Sequence, residues 1–417
     1  MKVAYVNNSD FSGGAARGAY RLHRALIGAG ITSRLFVRNK ILTDSTVLVP
    51  GTDLSNSVYH LKNYLSKKIL RLQGVRTFGL RNLNLFSSPI VSAVKEFNPD
   101  IVQLHWIGSE SLGISDFRRF KCPIVWRLAD MWAFNATEHY TPDGPSARFR
   151  AGFTKGSRDN GERGFDIDRL VWKLKELAWR DLNISVVTGS RWLADCAKSS
   201  PLFESNRVEV IPSGIDTKVF RPLDKLFARD IYSIPKDVKV ILFSAQNALK
   251  DYRKGFHFLY RGLKHFLRAN KDVVLVVLGD KGDGLQPEFD FPVIHLGQLW
   301  DDYSLALAYS AADVCVAPST QDNLPFTVME SIACGVPVVA FKVGGMPEMI
   351  SHQSSGYLAE PFSSEDLISG VEWVLGSSNY QQLSENARNY ALKHYSLTNQ
   401  VCAYESLYRG LIADFSK

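Results

Sequence analysis

The residues best suited to chemistry lie in one segment, Ala317-Pro318-Ser319-Thr320-Gln321-Asp322-Asn323-Leu324-Pro325-Phe326-Thr327-Val328-Met329-Glu330. A buried strand is predicted to end at Ala317, a loop holds Asp322, and a helix begins near Leu324 or Pro325 and runs to Ala333. Proline is tolerated in a first helical turn, and the amides there have no intrahelical partners. Those amides and the helix dipole form an anion site that suits a diphosphate. Asp322 precedes them and Glu330 stands about two turns along the helix. One carboxylate is then placed to meet a sugar and the other a ribose, with the diphosphate between. The same residues also read without a ligand, Asp322 as a helix N-cap and Glu330 as a solvated helix residue.

A second candidate is Asn8-Ser9-Asp10-Phe11-Ser12-Gly13-Gly14-Ala15-Ala16, a glycine loop between a strand and a helix. Gly13 and Gly14 permit close backbone approach, and the helix start offers amides. The pattern is not G-x-G-x-x-G, so it gives no dinucleotide fingerprint; a tight turn without a ligand is the alternative. His105, in Gln103-Leu104-His105-Trp106, ends a strand and is a cleft candidate, although a lone histidine is more often structural. Cys122, Cys196, Cys315, Cys334 and Cys402 are odd in number, far apart and in no metal-binding spacing. No metal site and no cofactor are expected.

These residues need elements to hold them, and β-branched runs alternating with amphipathic helical patterns supply them. Predicted strands are Lys2 to Asn7, Arg34 to Val37, Ile101 to His105, Ile124 to Arg127 and Ile184 to Thr188. In the second half they are Val240 to Ser244, Val273 to Leu278, Val293 to Leu296, Val314 to Ala317 and Val338 to Phe341. Helices are predicted from Ala15 to Gly28, Phe256 to Ala269, Leu367 to Leu375, Tyr380 to Tyr395 and Leu397 to Ala413. The 417 residues exceed what one core usually supports. The expected fold is α/β: two doubly wound, Rossmann-like domains facing across a cleft, ligands lying at the carboxyl ends of the strands. The expected boundaries are 1–215, 216–390, and 391–417 as a helix crossing back to the first domain.

The Asp322 to Glu330 spacing resembles the E-x7-E signature of family GT4, retaining glycosyltransferases of the two-domain GT-B type, with Asp322 in place of the first Glu. Ala333-Cys334-Gly335-Val336-Pro337-Val338-Val339-Ala340, Val343-Gly344-Gly345-Met346-Pro347-Glu348 and Val210-Ile211-Pro212-Ser213-Gly214-Ile215-Asp216 are similar to the same family. The resemblance implies that Glu330 binds the donor ribose and Asp322 the transferred sugar. It also implies that amides around Asn323, Leu324, Pro325, Phe326 and Thr327 bind diphosphate, and that Gly297 and Gln298 meet the nucleobase. Asp251-Tyr252-Arg253-Lys254-Gly255-Phe256 resembles the family's basic turn, with Lys254 neutralising the leaving diphosphate. Leu249 stands where the family often has Arg, and Arg253 is the available substitute. Gly13 and Gly14 match the family's first-domain glycine loop, beside the donor phosphates and acceptor. Arg127-Leu128-Ala129-Asp130-Met131-Trp132-Ala133-Phe134 looks like the D-M-W-x-F stretch of a subgroup making bacterial surface polysaccharides. Ala129 replaces a usual His there, and Asp130 and His139 become active-site candidates.

What the resemblance implies is metal-independent hexosyl transfer with retention, from a nucleotide-sugar donor to a saccharide or lipid-linked saccharide. Ala129 and Asp322 also motivate a non-catalytic nucleotide-sugar-binding or scaffold subunit. The net charge is +7, and the first 200 residues carry 29 Lys/Arg against 17 Asp/Glu. Much of that excess lies in the acid-free stretch from Leu54 to Lys95, with Lys62, Lys67, Lys68, Arg71, Arg76 and Arg81. It reads as a solvated loop-helix, or as a surface for an anionic membrane or a phosphate-bearing acceptor. No nucleic-acid motif accompanies it, so no nucleic-acid partner is expected. The opening residues do not read as a signal peptide and no apolar run is long enough to span a bilayer. The expected place is the cytoplasm, with peripheral contact at the inner membrane face.

Overall fold

The computed structural model describes residues 1–74, 79–158, 162–245, 251–279 and 291–415. The chain forms two compact units, Met1–Pro212 with Gln400–Lys417, and Ser213–Asn399. Each is a wholly parallel sheet wrapped by helices.

The first unit's strands are β1 (Lys2–Val6), β2 (Thr32–Phe36), β3 (Val47–Leu48), β4 (Ile101–Leu104), β5 (Ile124–Leu128), β6 (Ile184–Thr188) and β7 (Val208–Val210), in the order β3-β2-β1-β4-β5-β6-β7. Both faces are buried, so consecutive side chains enter different cores. Ala4 and Val6 join one and Val3 and Tyr5 the other. That is why β1 reads as a continuous apolar run rather than as an alternation. The second core is completed by the C-terminal helix Leu397–Phe415, whose Val401, Tyr404, Leu407, Tyr408 and Leu411 pack against Tyr5, Leu22 and Leu35. Its polar atoms are paired as well: Tyr408 donates to Gln103 (2.9 Å), its hydroxyl lies 3.0 Å from that of Tyr5, and Arg127 reaches Ile211 O (2.7 Å) and Tyr404 (3.2 Å).

The second unit holds β8 (Lys239–Ser244), β9 (Val273–Leu278), β10 (Val293–Gly297), β11 (Val314–Ala317), β12 (Val338–Phe341) and β13 (Gly356–Ala359), in the order β10-β9-β8-β11-β12-β13. Val240 and Leu242 enter one core and Ile241 and Phe243 the other. Each sheet reverses its winding beside its first strand, between β1 and β4 and between β8 and β11. Such a switch point leaves a crevice beyond the strand ends. Gly13 and Gly14 follow β1, Arg253 and Lys254 follow β8 and Asp322 follows β11, at these two places, whereas Gly297 and Gln298 follow the edge strand β10.

Two local expectations are corrected. The helix expected from Leu324 or Pro325 begins at Phe326, because Pro325 has an extended ψ of 131° and serves as N-cap. The short strands β3, β7 and β13 and the helix Ile167–Trp179 lie where no element was expected.

Candidate functional site

In the second unit residues 251–255, which follow β8, lie directly on the loop after β11. Asp251 caps the short turn Tyr252–Lys254 by accepting the Arg253 amide at 3.1 Å. Gly255 follows at φ +71°, and a Cβ there would stand 1.8 Å from the Pro318 carbonyl oxygen. Only glycine allows that contact. Thr320 N donates to Arg253 O at 2.8 Å, tying the loops a second time.

This contact brings both cations to Asp322. Lys254 Nζ lies 2.7 Å and Arg253 Nη1 3.2 Å from Asp322 Oδ2, and the same Arg253 nitrogen donates to Gln321 O at 2.8 Å. Asn323 N donates to Asp322 Oδ1 at 3.0 Å. Burial would raise this carboxyl's pKa, but Lys254 and Arg253 overcome it and hold the group down at about 2. The backbone is pinned too: Gly345 N donates to Asp322 O at 3.0 Å, and a Cβ on Gly344 would come within 2.2 Å of that oxygen. The Val343-Gly344-Gly345 motif is thereby explained by close approach. Asp322 is not the helix N-cap, which is Pro325, and Glu330 is buried rather than solvated.

Glu330 is 4% exposed within the helix Phe326–Ala333 and accepts a hydrogen bond from Tyr309 at 3.1 Å. The Tyr309 hydroxyl also lies 3.4 Å from Ser244 Oγ at the end of β8. Between the two carboxylates runs the helix start. Pro325 offers no N–H and the Leu324 side chain belongs to the core, which leaves the backbone amides of Leu324, Phe326 and Thr327 as the donors of this turn. Asn323 is buried. Gly297 ends β10 at φ +66°, where pairing with β9 slips, and a Cβ there would meet nothing among the described residues within 4 Å. Half-buried Gln298 follows it. Leu249 lies outside the described residues.

In the first unit, Gly13 is the N-cap of α1 (Gly14–Gly28), at φ 87°. The loop before it is braced by Ser9, which accepts from Phe11 N and Ser12 N, both at 3.2 Å. Asp10 is buried and accepts from Ile41 N and Leu42 N, each at 2.9 Å.

Asp130 and His139 do meet. His139 Nδ1 lies 2.6 Å from Asp130 Oδ2, and Trp106 Nε1 donates to the same oxygen at 3.0 Å. Asn82 Nδ2 lies 2.5 Å from His139 Nε2, and Asn82 Oδ1 accepts from Ser109 N at 2.7 Å. The Asn82 amide is therefore oriented with its NH2 toward the ring, so Nε2 accepts and Nδ1 carries the proton to Asp130. Beneath them Lys175, fully buried, donates to the carbonyls of Trp132, Asn135 (3.1 Å) and Ala136 (2.7 Å). Burial pushes its pKa well below the ordinary value. Asn82, Trp106 and Lys175 were not expected, because their partners lie tens of residues away. His105 is not in this cluster. It stacks on Tyr5 at 5.1 Å, and burial drives its pKa well down, so the ring is neutral. Among the described residues no group of three or more His, Cys, Asp or Glu could hold a metal ion.

Two parallel, doubly wound units with their candidate sites at the switch points define the GT-B glycosyltransferase fold. Residues 238–377 match the family of glycosyl transferases group 1, so the second unit carries a group 1 glycosyltransferase domain. The chain is 31% identical to D-inositol 3-phosphate glycosyltransferase of Segniliparus rotundus over 172 residues, 39% of this chain and 38% of that one. It spans no more than 57% of the length of three other curated relatives. Among solved structures, it is similar to sucrose-phosphate synthase of Thermosynechococcus elongatus, with TM-score 0.69, 18% identity and 99% and 100% of the two chains covered. HepE of Anabaena, solved in complex with UDP and glucose, gives 0.65, 16%, 99% and 100%.

Proposed function

We propose that this chain is a retaining glycosyltransferase of family GT4. It moves a hexosyl group from a nucleotide sugar to a saccharide or lipid-linked saccharide in surface polysaccharide or lipopolysaccharide synthesis. The observation that carries this is the pair of carboxylates, Asp322 held by Lys254 and Arg253 and Glu330 held by Tyr309, on either side of a helix start. The UDP and glucose of the HepE complex support a sugar nucleotide as the ligand of such a fold. Glu330 takes the ribose hydroxyls, Asp322 the hydroxyls of the transferred sugar, and Gly297 with Gln298 the base. Lys254 and Arg253 stabilise the charge that develops on the departing diphosphate. The acceptor hydroxyl attacks on the face the diphosphate leaves, and a phosphate oxygen takes its proton. Asp130 and His139 serve the acceptor, and Gly13 and Gly14 the donor phosphates and acceptor. His139 then acts by position rather than as a base, because both its ring nitrogens are engaged. The acid-free basic stretch supports a lipid-borne acceptor met at an anionic membrane surface.

The test is calorimetry with UDP, GDP, dTDP and ADP and their hexose conjugates, on the wild type and on Glu330→Ala. One nucleotide should bind, and the variant should bind it at least about tenfold more weakly. Turnover should survive EDTA, and the product should keep the donor's anomeric configuration by NMR. Ala129 at the usual histidine position favours a second reading, a non-catalytic subunit; nucleotide binding without transfer to any acceptor would establish it.

A further inference from the structure

The helix α2 (Asp53–Arg71) wears its apolar residues on the outside. Its packed side is Tyr59, whose hydroxyl accepts from Asn8 at 3.1 Å, and Ser66, which donates to Glu110 at 2.7 Å. Leu54, Val58, Leu61 and Leu65 recur at i, i+4, i+7 and i+11, so they form one stripe along the helix. Leu72, one turn beyond Lys68, continues it. Leu54 is 74%, Leu61 54% and Leu72 53% exposed. At its far end Leu72 O accepts the amide of Phe165, itself 70% exposed, at 3.1 Å. Exposed Tyr64, Lys68 and Arg71 border the stripe, with Lys68 Nζ 5.3 Å from the centre of the Tyr64 ring, and exposed Lys67 stands farther round the helix.

We infer that this face of α2 lies in the interface of an anionic bilayer, its leucines among the acyl chains and its cations among the headgroups. Contiguous exposed apolar patches on a soluble surface mark interaction sites, and leucines flanked by Lys, Arg and Tyr are what an interfacial helix presents. A second copy of this chain fits worse, because a two-fold contact sets the same surface against itself. It would oppose Lys68 and Arg71 to their own equivalents, with no acid between Leu54 and Lys95 to offset them. Among the described residues no helix is long and apolar enough to cross a membrane, so the contact is one of lying on the bilayer. The inference rests on the lipid-borne acceptor proposed above and names the element that reaches the lipid.

The experiment is co-sedimentation of the full chain with vesicles of phosphatidylcholine containing one-third phosphatidylglycerol, and with phosphatidylcholine alone. The wild type should bind the anionic vesicles. Leu61→Gln/Leu65→Gln, at two solvent-exposed positions, should bind at least about tenfold more weakly with an unchanged melting temperature. Lys67→Gln/Lys68→Gln/Arg71→Gln should also weaken binding and flatten its salt dependence. Wild-type affinity in the leucine variant would overturn the inference, as would no vesicle binding by the wild type. So would a wild-type dimer that the leucine changes dissolve without any vesicle binding. Nucleotide calorimetry on the same preparations separates the two proposals. Vesicle binding without nucleotide binding removes the glycosyltransferase reading alone, and nucleotide binding without vesicle binding removes this one.

Discussion

Asp322 is held ionised by two cations that the proposed reaction also needs. A carboxylate whose folded pKa is about 2 against an ordinary 3.8 adds stability above pH 4, and loses it as the pH falls toward 2. The contribution is about 2 kcal/mol. Denaturant midpoints at pH 6, 4, 3 and 2.5 should fall more steeply for the wild type than for Asp322→Asn. Equal slopes would place the acid sensitivity elsewhere. Lys254→Met is expected to lower kcat by about 10² to 10³, and also to give up much of that stability, because it leaves the buried Asp322 carboxylate with Arg253 alone of its two cations. Normal turnover in the folded variant would contradict that role.

Two glycines with nearly the same φ separate structure from site at the level of elements. Gly255 (φ +71°) touches the Pro318 carbonyl, and at Gly297 (φ +66°) a Cβ would meet none of the described residues within 4 Å. Alanine at Gly297 should cost about 1 kcal/mol for its left-handed backbone alone but weaken nucleotide binding. Alanine at Gly255 should cost clearly more, because one of two packed loops must move. Thermal unfolding beside calorimetry distinguishes them, and equal losses in both variants would refute the distinction. The strands that carry these loops were legible because both sheet faces are buried, so β8, β9, β11 and β12 appear as unbroken apolar runs. The edge strands β3, β7 and β13 were not, having at most four residues and only one pairing neighbour. Asp322, Glu330 and Lys254 could be picked out because each sits just beyond a readable strand or on a readable helix. Tyr309 and Asn82 could not, because hydrogen bonds across 21 and 57 residues leave no local pattern.

At the scale of the whole molecule, the second unit is a single stretch of chain and the first is not. Removing Gln400–Lys417 would uncover the side of the first sheet that bears Val3, Tyr5 and Leu35. Loss of five buried side chains at about 1.5–3 kcal/mol each matches the entire stability of an ordinary domain. Residues 1–212 alone should be insoluble or lack fixed tertiary structure by near-UV circular dichroism. Residues 213–399 alone should melt cooperatively, and a cooperative melt of 1–212 would contradict this account. The same helix sets a schedule in the cell. The first unit's strands emerge early, yet the helix that covers them is made only after about 190 further residues, a delay of roughly 10–40 s at ordinary translation rates. The part synthesised second can thus finish folding first. Through that interval the nascent chain carries an uncovered sheet, a client for whatever chaperone waits at the ribosome.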